Sequence, residues 1–255
     1  MKKHPVSLAL TKSRRMAIAP LRNEIARRSL AAVTRTQPII SIRALTLLSR
    51  VAASADVFKD WQADRYGDAP GFASNTDTLD FLRTKILELQ PGVVLELGSG
   101  ASTVAIAEAM REVHGARYNG VFSIDEDEGF LRETRAQLDS RGLTADLVHR
   151  PLRAATVNRR TSLCYDLNPG FMREWLADAL PDFLFIDGPS GRGNARLATL
   201  PLLQPHLREE CVFFLDDALR DDEIAVAKEW ARLERVEIVG VHPVGRGILE
   251  GLASK

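Results

Sequence analysis

Apolar and polar positions change period along this chain. Up to about residue 35 no period is strong. From Pro38 the pattern turns helical, with Ile42, Leu45, Leu48 and Ala52 on one face and Arg43 and Arg50 on another. Residues 56–75 (Trp61, Tyr66, Gly67, Pro70, Gly71, Asn75) read as a loop. Asn75-Thr76 then suggests a helix cap, with Asp77 in the first turn and Leu79, Leu82, Ile86 and Leu89 on one face. Pro91-Gly92 ends that helix.

From residue 93 short apolar runs alternate with helical segments. Strands are expected at 93–97, 121–124, 145–149, 183–186 and 212–215. Helices are expected at about 102–114, 128–140, 171–179, 194–206 and 221–233, with a polar excursion at 150–170. Such alternation predicts an α/β protein with a parallel, doubly wound sheet. The chain closes with strands at 236–241 and 247–252 joined by a short turn at Pro243–Arg246. Parallel neighbours need a long crossover, so this pair predicts an antiparallel C-terminal edge.

The first strand ends in Glu96-Leu97-Gly98-Ser99-Gly100, and the second ends in Asp125. A tight Gly-x-Gly turn lets a ligand approach the backbone, and an acid after the second strand can hold a ribose diol. A dinucleotide fingerprint would place a third glycine where Thr103 stands. A carboxylate at Glu96 would repel a pyrophosphate but suits a cationic ligand. Glu96-x-Gly98-x-Gly100 followed by Asp125 resembles the class I S-adenosylmethionine-dependent methyltransferase family, with Ser102 in place of the family's third glycine. The resemblance covers roughly 75–255. It implies a seven-stranded, Rossmann-like sheet with one reversed edge strand, S-adenosylmethionine as cofactor, and residues 1–74 as a basic N-terminal extension before a catalytic domain at 75–255. It also implies that Gly98, Ser99 and Gly100 line the methionine part of the cofactor, that Glu96 reads its ammonium, and that Asp125 takes the ribose hydroxyls. Ser102 and Glu126 complete the expected cofactor set.

The carboxyl ends of strands form the binding crevice of such sheets, which places Asp187, Asp216 and Asp217 beside that set. Phe185-Ile186-Asp187-Gly188-Pro189 and Phe214-Leu215-Asp216-Asp217 resemble a branch of small-molecule O-methyltransferases. Its catechol-type members bind Mg²⁺ through acids ending these strands, which implies Asp187, Asp216 and Asp217 as metal ligands. The sequence departs from that subgroup, with Gly188-Pro189 replacing a His-aromatic pair and Asp217 replacing an Asn. The other reading has Asp187 capping a loop and walling the cofactor site, and Asp216 or Asp217 positioning the next helix. Methyl transfer needs alignment more than a base. If a base serves, Asp187 comes first and Asp217 second. Arg192, Arg196 and Arg220 are candidates for holding an anionic acceptor, and Gly188–Gly193 for a flap over it. His114, His206 and His242 read as structural.

The expected reaction is methyl transfer to an oxygen of a small-molecule or sugar-like acceptor. A NAD-dependent oxidoreductase and a non-catalytic scaffold that keeps the fold remain as alternatives.

Composition alters this picture at one end. The net charge is zero over 255 residues. Residues 1–50 hold eleven Lys or Arg and one acid, a charge of +10, which leaves −10 on the rest. The 38–52 helix can pack on the domain, lie on a membrane surface, or serve as a nucleic-acid or partner arm. Aromatics at 6% do not suit a single-strand stacking platform. No Asn/Asp-Pro-Pro-Tyr/Phe follows strand four, so sequence-specific nucleic acid is not expected as a partner. Cys164 and Cys211 give no metal spacing and read as buried thiols, in keeping with the cytoplasm. Ser13-Arg14-Arg15 lacks the apolar run of an export signal, because Arg22, Glu24, Arg27 and Arg28 interrupt it.

Overall fold

The computed structural model describes residues 19–33, 39–51, 76–191 and 194–255. The expected loop at 56–75, Asn75, Arg192 and Gly193 lie outside the described residues. A first helix, α1, covers 19–33. It is followed by α2 (Ile42–Val51), α3 (Thr76–Leu89), β1 (Val94–Leu97), α4 (Ala101–His114), β2 (Val121–Asp125) and α5 (Glu128–Ser140). Next come β3 (Asp146–His149), β4 (Leu152–Val157), β5 (Arg160–Tyr165), α6 (Pro169–Leu176) and β6 (Phe183–Ile186). The chain ends with α7 (Thr199–Leu203), a 3₁₀ turn at Gln204–His206, β7 (Cys211–Leu215), α8 (Asp221–Trp230), β8 (Val236–His242) and β9 (Ile248–Ala253).

Seven strands form one sheet in the order β3-β2-β1-β6-β7-β9-β8. β1, β2, β3, β6 and β7 run parallel, and β9 is antiparallel to both its neighbours. The reversal falls at the expected end of the sheet, with β9 lying between β7 and the outermost β8. Every residue of β1 and β6 is buried, as expected for strands covered on both faces. On one face Leu82 and Ile86 of α3, Val104 and Ile106 of α4 and Leu138 of α5 pack together. On the other, Leu30 of α1, Leu45 of α2, Met172 of α6, Leu200 of α7 and Trp230 of α8 share a core. Of the readings for the helix after Pro38, α2 takes the packed one, burying Leu45 and Leu48. Ile40 exchanges two 2.8 Å backbone bonds with Val241, covering part of the β8 edge. Among the described residues no helix is long and apolar enough to cross a membrane.

Two local expectations are corrected. The polar excursion at 150–170 contains an antiparallel hairpin, β4–β5. Its two-residue turn, Asn158-Arg159, has φ of 49° and 65°, the left-handed pair that matches strand twist. The hairpin has no buried apolar face of its own along β4, so its period carried little signal. The helix expected at 194–206 is reduced to α7 and the 3₁₀ turn, because Pro201 and Pro205 each lack a backbone N–H.

Candidate functional site

Parallel register brings the carboxyl ends of four strands to one edge. Leu97 pairs with Ile124 and with Ile186, and Ile186 with Leu215. The next residues along the chain, Gly98, Asp125, Asp187 and Asp216, therefore rise side by side. The Gly98 amide donates to Ile124 O at 2.8 Å, and the Leu97 carbonyl accepts from Asp187 N (2.9 Å) and Gly188 N (2.7 Å). Gly98 has φ of +96°, and a Cβ there would stand 3.0 Å from Gly188 N and 3.2 Å from the Asp187 carbonyl carbon. Neither backbone atom can give way easily. Gly98→Ala is accordingly expected to lose about 1–2 kcal/mol of stability from the left-handed backbone alone. The β1–β6 seam opens as well. Urea melts, read beside S-adenosylhomocysteine binding, check it, and an unchanged melt would refute the close approach.

Below the turn, Glu96 is fully buried. Its Oε2 accepts from Thr103 Oγ1 at 2.5 Å and from Ser123 Oγ at 2.8 Å. Its Oε1 has no hydrogen-bond partner. Burial pushes the carboxyl up to about 7, against the pull of its hydroxyl donors. Thr103 also accepts from Gly100 N at 2.9 Å, which ties the turn to the first residues of α4. Ser102 is buried in that first turn.

Asp125 organises the same turn from β2. Its Oδ2 accepts from the Ser99 amide (2.7 Å) and the Ser99 hydroxyl (3.1 Å), and its Oδ1 accepts from Asp127 N (2.8 Å). The structure thus joins Glu96, Gly98, Ser99, Gly100 and Asp125 in one connected group, and Ser102 bears on the Glu96 carboxyl from the first turn of α4, pulling its pKa down. Glu126 follows Asp125, half-buried, and its carbonyl accepts from His149 Nε2 at 3.0 Å. Asp127 caps α5, accepting from Gly129 N (2.6 Å) and Phe130 N (3.1 Å).

The acids of β6 and β7 surround a cation that belongs to the chain. Arg196 is 5% exposed. Its Nη1 donates to Asp216 O at 2.9 Å, and its Nη2 donates to the Asp187 carbonyl and lies 3.4 Å from Asp187 Oδ1 and 3.3 Å from Asp217 Oδ2. Glu223 Oε1 stands 4.0 Å from Nη1. Asp217 is also paired with Arg220 (2.8 Å) and Arg246 (2.5 Å). Burial raises Asp216 well above the usual carboxylate range, and Asp187 and Asp217 push it the same way.

This corrects two expectations. Among the described residues no group of three His, Cys, Asp or Glu is arranged to hold a metal ion. Asp187 and Asp217 close on the Arg196 guanidinium, so the donor set does not fit Mg²⁺, which needs several convergent oxygens. Arg196 and Arg220 are likewise engaged with these acids and are not arranged around an anionic acceptor. The signal that could have found this was charge matching, with three arginines (196, 220 and 246) near four acids (187, 216, 217 and 223). Two of these histidines have structural partners: His114 Nε2 donates to Pro91 O at 2.7 Å, and His242 Nε2 meets Glu250 Oε2 at 2.5 Å. His206 is buried as the last residue of the 3₁₀ turn.

Comparison with known proteins agrees with this geometry. Residues 95–218 match the family described as Methyltransferase domain. A methyltransferase from Geobacter sulfurreducens is 18% identical, with a TM-score of 0.52 over 85% of this chain and 99% of that one. The Podospora anserina methyltransferase PaMTH1, bound to S-adenosylhomocysteine, is 13% identical, with a TM-score of 0.53 over 91% and 96%. An O-methyltransferase from Bacillus cereus in complex with S-adenosylhomocysteine is 13% identical, with a TM-score of 0.53 over 82% and 96%. No curated protein sequence matches the chain. Residues 95–218 are thus similar to a methyltransferase domain, and the strand order and the turn after β1 are in keeping with the class I S-adenosylmethionine-dependent kind. The oxidoreductase reading gives way to it.

Proposed function

We propose that this domain transfers a methyl group from S-adenosylmethionine to an oxygen of a small-molecule or sugar-like acceptor, without a resident metal. One observation carries the cofactor assignment: the buried Glu96 carboxyl keeps Oε1 unpaired under the Gly98 turn. A carboxylate there suits the ammonium of the methionine moiety and would repel a pyrophosphate. Bound S-adenosylmethionine supplies an electrophilic methyl on a sulfonium. Gly98, Ser99 and Gly100 present backbone without side-chain bulk to it, and Asp125, anchored by Ser99, takes the ribose hydroxyls. Glu126 lies beside that ribose position, and Ser102 seats the first turn of α4.

Asp187 is the residue to accept a proton from an acceptor hydroxyl, in line with its place at the end of β6. Asp217 is held by three guanidinium groups and serves to position the β7 end. Oxygen as the acceptor atom is supported by the Bacillus cereus O-methyltransferase and by the absence of a base-methylating motif after β6.

Calorimetric titration with S-adenosylhomocysteine, with NAD in parallel, tests this reading. Micromolar binding of S-adenosylhomocysteine alone, weakened by Asp125→Ala, is expected. Methyl transfer to a panel of hydroxylated acceptors should proceed equally with and without EDTA. Well-folded protein that ignores S-adenosylhomocysteine sinks the cofactor assignment, and loss of turnover in EDTA sinks the metal-free half.

A further inference from the structure

One buried polar group near the turn takes no part in the arrangement above. Tyr165, the last residue of β5, is 1% exposed, and its hydroxyl has no hydrogen-bond partner. It reaches the same seam as the cofactor group. A Cβ added to Gly188 would fall on the Tyr165 hydroxyl oxygen and would stand 3.1 Å from Gly98 Cα. The Asp125 and Glu126 carboxylates bear on it electrostatically, and Glu126 comes near enough to act on the phenol proton, yet no acceptor stands in hydrogen-bond geometry with the hydroxyl. Burial, then Glu126 and Asp125, hold the phenol well above its ordinary pKa, so the hydroxyl stays protonated.

The tyrosine is held firmly in place. Asp166, its neighbour, is ion-paired with Arg150 at 3.0 Å and Arg153 at 2.9 Å. Arg150 Nε also donates to Asp166 O at 2.8 Å, and its guanidinium lies 4.0 Å above the Phe171 ring. A rigid element therefore delivers a buried donor to the strand edge. Leaving such a donor unpaired costs stability, whereas a phenyl ring of the same shape would cost nothing there.

We infer that Tyr165 is a cofactor-contacting residue, whose hydroxyl donates to an acceptor atom of the bound adenosyl compound beside Gly98 and Gly188. The inference rests on the methyltransferase reading. It adds a ligand contact from the β4–β5 hairpin, which is separate from the turn after β1.

Tyr165→Phe tests it through two measurements on the full chain. S-adenosylhomocysteine is expected to bind about five- to tenfold more weakly, the usual effect of losing one hydrogen bond. The ligand-free variant should melt at or above the wild-type temperature, because an unpaired hydroxyl has been removed. Unchanged affinity overturns the inference. So does weaker binding accompanied by a lower melting temperature without ligand, since the hydroxyl is then a structural group. A wild-type protein that fails to bind S-adenosylhomocysteine overturns the cofactor assignment itself, a result separate from either of these.

Discussion

Arg196→Met is expected to destabilise the protein by about 3–5 kcal/mol at pH 7, the usual effect of leaving buried charges without their partner. Methionine keeps much of the apolar stem and removes the cation. Asp187, Asp216, Asp217 and Glu223 then face one another, with Arg220 and Arg246 at the rim, 48% and 24% exposed. The effect has a defined pH dependence. Burial already raises Asp216 and Glu223 above their ordinary values, and losing the guanidinium removes a charge that pulls Glu223 back down. A group whose folded pKa is raised binds more protons in the folded state, so its contribution is kept at low pH and lost as pH rises. The gap between variant and wild type should therefore be wider at pH 8 than at pH 5 in urea melts. Adding Asp217→Asn should recover part of the loss, since Asn tolerates the φ of 60° found there. A gap below about 1 kcal/mol at both pH values would show that Arg196 is not the counter-ion of this cluster.

Legibility in the sequence differed between the backbone and the side chains. The parallel strands were readable because β1, β2, β6 and β7 are short, almost wholly apolar and buried on both faces. The Glu96 to Gly100 turn was readable because a chain crossing from strand to helix over a ligand has few solutions. The β4–β5 hairpin was not, since Arg153, Ala154, Ala155 and Thr156 present no two-residue alternation of apolar and polar types. The partners of Arg196 were hidden for a different reason. Its acids come from β6, β7 and α8, up to 27 residues away, and only the sheet register brings them together. The same holds for Tyr165, which lies 23 residues before the glycine it touches. Individual site residues were therefore visible in sequence as types, while the charge pairing that assigns their roles required the fold. That pairing is what turns Asp187, Asp216 and Asp217 from a metal set into a guanidinium site.

Glu96→Gln is expected to change both the pH dependence of stability and the affinity for the cofactor. Ordinary Glu titrates near 4.5, whereas burial holds Glu96 at about 7. The folded pKa lies above the unfolded one, so folding takes up a proton as pH rises through this window. The stability contribution of Glu96 is complete below about 4.5, declines up to about 7 and is constant beyond. The size of that decline is about 3 kcal/mol, from about 1.4 kcal/mol per pKa unit. Glutamine does not titrate. The difference in stability between wild type and variant should thus drift by most of that amount, about 2.5 kcal/mol, between pH 5 and pH 8 in the variant's favour. Ligand binding should move the opposite way. Thr103 and Ser123 both donate to Oε2, so they orient a glutamine with its carbonyl toward them and its NH₂ at the unpaired Oε1 position. That NH₂ repels an ammonium, and a charge-assisted hydrogen bond is lost, which weakens S-adenosylhomocysteine about 10- to 100-fold. Wild-type affinity should rise with pH up to about 7 as the carboxylate forms, and the variant's should not follow it. Equal affinities across this range would remove Glu96 from the ammonium site, and a flat stability difference would show that its carboxyl is already ionised at pH 5.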